Sequence, residues 1–208
     1  MARLIAFLLI FATGGYLFLG NDADEVWPIK NKPMDGLKVA AFGDSLVRGV
    51  GAGLQDSYPS QLGKMLGSQV KNFGRSGDTS EVALRRLPAL LKFQPNLVIV
   101  TLGGNDMLKR VPDGEVVANL QQIFLKLQQQ GAMVVYTAID PPIVNSKWNS
   151  EVKRICKEMG VLYIPRIMRG FWGNRKIMAD QIHPNGKGYK IMAERVYVAL
   201  SKAMVVSP

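Results

Sequence analysis

The chain has 208 residues, of which 48% are hydrophobic and 20% charged, enough for one full core and too short for two comfortable domains. That excludes a disordered or low-complexity protein. Lys and Arg number 26 against 16 Asp and Glu, a formal net charge of +10, but the surplus is spread with no block of like charge, so dedicated nucleic-acid binding is not expected. The single cysteine, Cys156, excludes a disulfide framework and a cysteine-based zinc site, and the single histidine, His183, excludes a histidine-rich metal centre. Any chemistry that needs an imidazole must use His183.

Residues Leu4 to Leu19 carry no charged side chain; they follow Arg3 and precede Asp22, Asp24 and Glu25. This polarity puts the N-terminus inside and the remainder outside, so residues 1–25 read as a signal peptide or an N-terminal membrane anchor. The run is shorter than the roughly 20 residues of a comfortable span. Ala12-Thr13-Gly14 is a passable cleavage site, but Tyr16-Leu17-Phe18-Leu19 would leave an apolar new N-terminus, which favours an uncleaved anchor. No cysteine follows for lipid attachment. Without residues 1–25 the chain keeps 25 basic and 13 acidic groups, or +12, a charge suited to anionic lipid or wall polymer. An exported protein is expected, periplasmic or membrane-anchored and facing outward.

Residues 26–37, with Pro28, Pro33 and Gly36, read as a linker to a single domain over 38–208. From Lys38 the pattern becomes regular. Val39–Phe42, Val70–Phe73, Leu97–Leu102, Met133–Ala138 and Val161–Ile164 are short apolar runs of the kind found in strands buried on both faces. Asp78 and Glu81 have capping-box spacing ahead of a helix that Pro88 kinks or splits. Val116, Val117, Leu120, Ile123, Phe124 and Leu127 repeat at helical spacing, with Asp113 as N-cap and Gly131 past the end. Trp148, Val152, Ile155, Cys156 and Met159 form another stripe, which makes Cys156 a core residue. A last helix from about Gly186 to Met204 carries Tyr189, Met192, Val196, Ala199 and Ala203 on one face. Five strands alternating with helices predict an α/β fold, a three-layer α/β/α sandwich around a five-stranded parallel sheet, with its site beyond the carboxyl ends of the strands.

At those ends stand Gly43-Asp44-Ser45, Gly74-Arg75-Ser76-Gly77-Asp78 and Gly103-Gly104-Asn105-Asp106, and before the last helix Asp180-Gln181-Ile182-His183-Pro184-Asn185. A serine nucleophile needs a base, a carboxylate to orient the base, and donors aimed at the oxygen that becomes negative. Ser45 supplies the nucleophile, His183 the base and then acid, and Asp180 the orienting carboxylate. The oxyanion hole is assigned to the backbone N–H groups of Ser45 and Gly77 and the side-chain amide of Asn105. Asp44 and Asp106 read as turn-forming or helix-capping residues. Gly49-Val50-Gly51-Ala52-Gly53 lacks the spacing of a dinucleotide loop and starts well past the strand end.

These four blocks resemble the SGNH or GDSL-type hydrolases over most of residues 38–204. The resemblance is closest to bacterial periplasmic enzymes acting as acyl-CoA thioesterase, arylesterase and lysophospholipase, through Ser76-Gly77-Asp78-Thr79-Ser80, Arg86-Leu87-Pro88-Ala89-Leu90-Leu91-Lys92 and Leu102-Gly103-Gly104-Asn105-Asp106. It implies a flavodoxin-like strand order and a serine esterase that cleaves small acyl esters or thioesters through an acyl-enzyme, with no metal and no cofactor. The segment Asp140-Pro141-Pro142-Ile143-Val144-Asn145 looks shorter than in those enzymes. The alternatives are an O-acetylesterase acting on a cell-envelope saccharide and, from another class, an inactive basic envelope-binding module.

Overall fold

The computed structural model describes residues 27–139, 148–203 and 205–206. The apolar N-terminal segment and residues 140–147 therefore lie outside the described residues. Five strands, β1 (Val39–Gly43), β2 (Val70–Gly74), β3 (Leu97–Thr101), β4 (Met133–Thr137) and β5 (Leu162–Ile164), pair in parallel in the order β2-β1-β3-β4-β5. Gly43 is level with Gly74 on one side and Thr101 on the other, so three strands end together on one rim.

Helices cover both faces of the sheet. Side chains alternate along each strand, so Val39 and Ala41 of β1 point to one face and Ala40 and Phe42 to the other. On the first face lie α1 (Ser45–Arg48), α2 (Tyr58–Leu66) and α7 (Gly186–Lys202), which bury Leu46, Val47, Tyr58, Leu62, Tyr189, Met192 and Val196. On the second lie α3 (Ser80–Leu91), α5 (Asp113–Gln129) and α6 (Trp148–Met159), with Leu87, Leu90, Leu120, Phe124, Ile155 and Cys156 buried against the sheet. The short α4 (Gly104–Leu108) follows β3 directly. This is the expected three-layer sandwich, and none of the described helices is long and apolar enough to cross a membrane.

Several local expectations change. β2 is an edge strand, and Lys71 and Asn72 are exposed rather than covered on both faces. The cap of α3 is Thr79, whose hydroxyl accepts from Val82 N, because the Asp78 carboxylate is taken by Arg86 and Glu81 pairs with Arg85. The helix runs unsplit through Pro88 to Leu91. Asp113 is the first residue inside α5, and Pro112 holds the cap position. A turn at 49–53, the 3-10 helix Leu54–Asp56 and α2 fill the span between β1 and β2, where no helix is predicted.

Residues 27–37, expected as a linker, are docked across the amino ends of the strands. Trp27 Nε1 donates to Val161 O at 2.9 Å and Lys30 N to Gly160 O at 2.9 Å, both just before β5. Asn31 Nδ2 donates to Gln128 O and Ala132 O ahead of β4, and Asn96 Nδ2 to Gly36 O ahead of β3. The segment thus closes the pole opposite the rim that carries the site.

Candidate active site

Ser45 stands where β1 ends and α1 begins. Asp44 makes that sharp transition by capping its own helix, with Oδ1 accepting from Leu46 N at 2.9 Å. The Ser45 side chain is therefore held on a helix terminus at the sheet rim, half-buried, with its backbone N–H in the first turn, where no intrahelical partner exists.

His183 arrives from a turn between β5 and α7. Ala179 N donates to His183 O at 2.9 Å, and Asn185 N to Ile177 O at 3.0 Å. Asn185 then caps α7 by accepting from Lys187 N and Gly188 N. This places His183 Nε2 3.0 Å from Ser45 Oγ, across 138 residues of sequence. On the other side of the ring, Nδ1 lies 2.7 Å from Asp180 Oδ2, while Asp180 Oδ1 accepts the backbone N–H groups of Ile182 and His183. Loss of hydration works to raise the Asp180 pKa, but the His183 ring and the two N–H groups outweigh it and hold it below the usual carboxylate value. An anionic Asp180 requires the ring proton on Nδ1, which leaves the Nε2 lone pair facing the serine.

Asn105, on α4, ties the remaining strand ends together. Its Nδ2 donates to Asp78 O at 2.9 Å and to Asp44 Oδ2 at 3.3 Å. The loop after β2 is pinned in turn by Arg75 N on Gly43 O at 2.9 Å and by Arg86, which pairs with Asp78 and reaches Gly43 O at 2.8 Å. Gly77 adopts φ +83° in this loop, a conformation side chains disfavour, so glycine suits the turn there. Ser45, Asn105 and His183 line one cleft, Asp180 backs the imidazole, and Gly77 lies in the loop that Asn105 holds through Asp78 O.

Two aspartates have wider roles than the turn or cap read from sequence. Asp106 braces the first residue of α3 rather than its own helix, accepting Ser80 N through both oxygens and Ser80 Oγ at 2.7 Å. Asp44 is 2% exposed; burial pushes its carboxyl up to about 7 from 3.8, the Asp106 and Asp78 carboxylates add to this, and Leu46 N–H and His183 oppose it. Gly51, within the glycine-rich stretch, packs against the His183 turn.

Ser45 and His183 open onto a cleft of ≈ 190 Å³ walled by Leu46, Met107, Ile139, Met168 and Trp172, with Leu108 and Ile182 exposed at its mouth. Met168 and Trp172 come from the segment after β5, which has no periodicity that could have announced them. Arg195 on α7 holds that segment by donating to Ile167 O at 2.5 Å and Arg169 O at 2.8 Å.

Residues 41–191 match the GDSL-like Lipase/Acylhydrolase family. The chain is 32% identical over 162 residues to the Escherichia coli K12 protein named Thioesterase 1/protease 1/lysophospholipase L1, covering 74% of this chain and 78% of the relative. It is 30% identical over 214 residues to a Vibrio mimicus Arylesterase, covering 97% of this chain and 99% of the relative. A crystal structure of TesA superposes with a TM-score of 0.73 at 29% identity, over 81% of this chain and 99% of that one. A serine, an imidazole and a carboxylate joined in sequence at the strand ends are what acyl transfer from an ester requires, and with these likenesses the chain belongs to the GDSL-like lipase/acylhydrolase family, as a serine hydrolase that acts on ester bonds.

Proposed function

We propose that Ser45 is the nucleophile of this hydrolase, His183 its general base and acid, and Asp180 the carboxylate that orients the imidazole. The observation that carries the reading is the pair of contacts on one ring, 3.0 Å from Nε2 to Ser45 Oγ and 2.7 Å from Nδ1 to Asp180 Oδ2. His183 Nε2 takes the serine proton as Oγ bonds to the ester carbon, and the carbonyl electron pair moves onto its oxygen. Ser45 N–H, Gly77 N–H and the Asn105 amide stabilise that oxyanion. Collapse breaks the bond to the leaving alcohol or thiol, which takes the proton from His183. Water, deprotonated by the same nitrogen, then releases the acid.

The substrates are carboxylic esters or thioesters with a small or medium acyl group. The cleft beside Ser45 is well below the roughly 300–1,000 Å³ of pockets that engulf a drug-sized ligand, and its walls are apolar. Residues 1–25 act as a signal peptide or an N-terminal membrane anchor, which makes the enzyme an exported one, periplasmic or membrane-anchored and facing outward. Its surplus of basic groups suits an anionic envelope.

Ser45→Ala tests the assignment. It abolishes release of p-nitrophenol from short-chain esters and labelling of the protein by a fluorophosphonate, with the unfolding transition unchanged. Labelling at any other residue would defeat it. An acyl-length series run beside acetylated glycans separates the esterase reading from saccharide de-O-acetylation.

A further inference from the structure

An amide NH₂ has two hydrogens, and in the resting site both hydrogens of Asn105 already have protein acceptors. One lies on Asp78 O at 2.9 Å, the other on Asp44 Oδ2 at 3.3 Å. The first bond is of ordinary length and fixes the amide to the loop that carries Gly77. The second is at the long limit, and its acceptor belongs to the residue immediately before Ser45. An oxyanion formed at Ser45 can gain the Asn105 amide only by taking the hydrogen that Asp44 holds.

We infer that Asp44 is a positioning residue for the reaction: its carboxyl Oδ2 holds the second Asn105 hydrogen beside Ser45 in the resting enzyme and yields it to the oxyanion as the tetrahedral intermediate forms. This rests on the reading of Asn105 as an oxyanion donor. The loose bond does two things. It fixes the rotation of the amide before substrate arrives, so that no reorganisation is needed at the moment of reaction. It also exchanges a weak acceptor contact for a strong one, so the gain falls on the intermediate and not on the bound ester. The anchoring is built in, because the other oxygen of the same carboxyl caps α1 through Leu46 N at 2.9 Å and cannot follow the amide. The charged and titratable groups that interact with Asp44 include His183 from the turn before α7, Asp78 from the loop after β2, Asp106 from α4, and the tyrosines Tyr58 of α2, Tyr136 of β4 and Tyr189 of α7.

A residue that only capped α1 would behave differently under substitution. Asp44→Asn keeps an oxygen for Leu46 N but turns an NH₂ toward the Asn105 NH₂, donor against donor. Asp44→Ser keeps a capping oxygen too short to reach Asn105, and serves if Asp44→Asn does not fold. The experiment is a double-mutant cycle on a soluble p-nitrophenyl ester, reading kcat and KM separately, with Asn105→Ala as the second change. The expected result is a loss in kcat of about tenfold or more from Asp44→Asn, with KM nearly unchanged, which shrinks to less than about twofold in the Asn105→Ala background. An equal loss in both backgrounds, or a loss confined to KM, overturns the coupling while leaving Asn105 its role. If Asn105→Ala itself leaves kcat intact, the oxyanion assignment falls, and the inference with it.

Discussion

Gly51 stands so close to the turn bearing His183 that a methyl group in place of its hydrogen would lie 3.3 Å from His183 Cβ, 2.8 Å from Ala179 Cβ and 2.7 Å from Pro184 O. Its φ of +92° is itself a conformation that side chains avoid. The chain leaving α1 therefore forms one wall of the seat on which the imidazole rests. Tyr189 completes the seat, its hydroxyl donating to Val50 O at 2.7 Å.

Gly51→Ala is accordingly expected to push the His183 turn and displace the imidazole relative to Ser45, with both catalytic side chains left unsubstituted. Misplacement of a reacting group by about 1 Å costs on the order of 100-fold in rate, so kcat should fall by about tenfold to 100-fold with a smaller change in KM. Steady-state kinetics on a soluble ester check this, and an unchanged kcat would show that the turn yields without moving the ring.

Asp180→Asn tests the other contact of the same ring. The amide can still accept from the imidazole but carries no charge to favour the Nδ1–H form or the imidazolium, so kcat should drop by several orders of magnitude, about 10⁴ in the best-studied serine hydrolases. The held-down pKa of Asp180 also sets a stability window. A carboxyl more acidic when folded than its usual 3.8 contributes stability that is fully present above that value and is lost as pH falls through the lower folded one. Unfolding midpoints of wild type and Asp180→Asn should thus converge only at strongly acidic pH. Parallel curves down to pH 2 would contradict the pairing.

The docked segment at the opposite pole is expected to serve stability and not turnover. Trp27→Ala removes an indole packed on the sheet's second face and its bond to Val161 O, at a cost of about 2 kcal/mol, while kcat and KM stay as they are. Urea unfolding and ester kinetics on the same preparation separate the two effects. A loss of kcat would show that the pole and the rim communicate.

The sheet was legible because strands covered on both faces must be apolar throughout, and Leu97–Thr101 and Met133–Thr137 read so without ambiguity. The proposed site residues stand out in the sequence because each follows a strand or precedes a helix at the rim. α2 escaped because Pro59 and Gly63 interrupt its stripe, although Tyr58 and Leu62 are buried. α1 and α4, of four and five residues, are too short to show a period. The cleft walls at Met168 and Trp172 lie on a segment whose position depends on Arg195 reaching back from α7. The tasks of Asp44 and Asp106 are fixed by partners 61 and 26 residues away, a distance over which no local pattern carries information.

Asp44 offers the sharpest test of whether the rim is built for turnover at the expense of stability. Its carboxyl, at about 7 when folded and 3.8 otherwise, keeps its proton in the fold over a range where the unfolded chain has lost it. Between those two values the native state binds more protons than the unfolded one, so stability falls as pH rises, by at most about 1.4 kcal/mol per pH unit, and levels off above 7. Asp44→Asn has no proton to lose, retains the cap to Leu46 N, and should escape the decline. The difference in unfolding free energy between variant and wild type should therefore grow in the variant's favour from pH 4 to pH 7 and stay constant above it. If the same variant loses kcat, the buried acid is kept for the reaction and not for the fold. A difference that does not change with pH would mean that Asp44 is ionised in the native state across the whole range, and that the groups donating to it outweigh its burial.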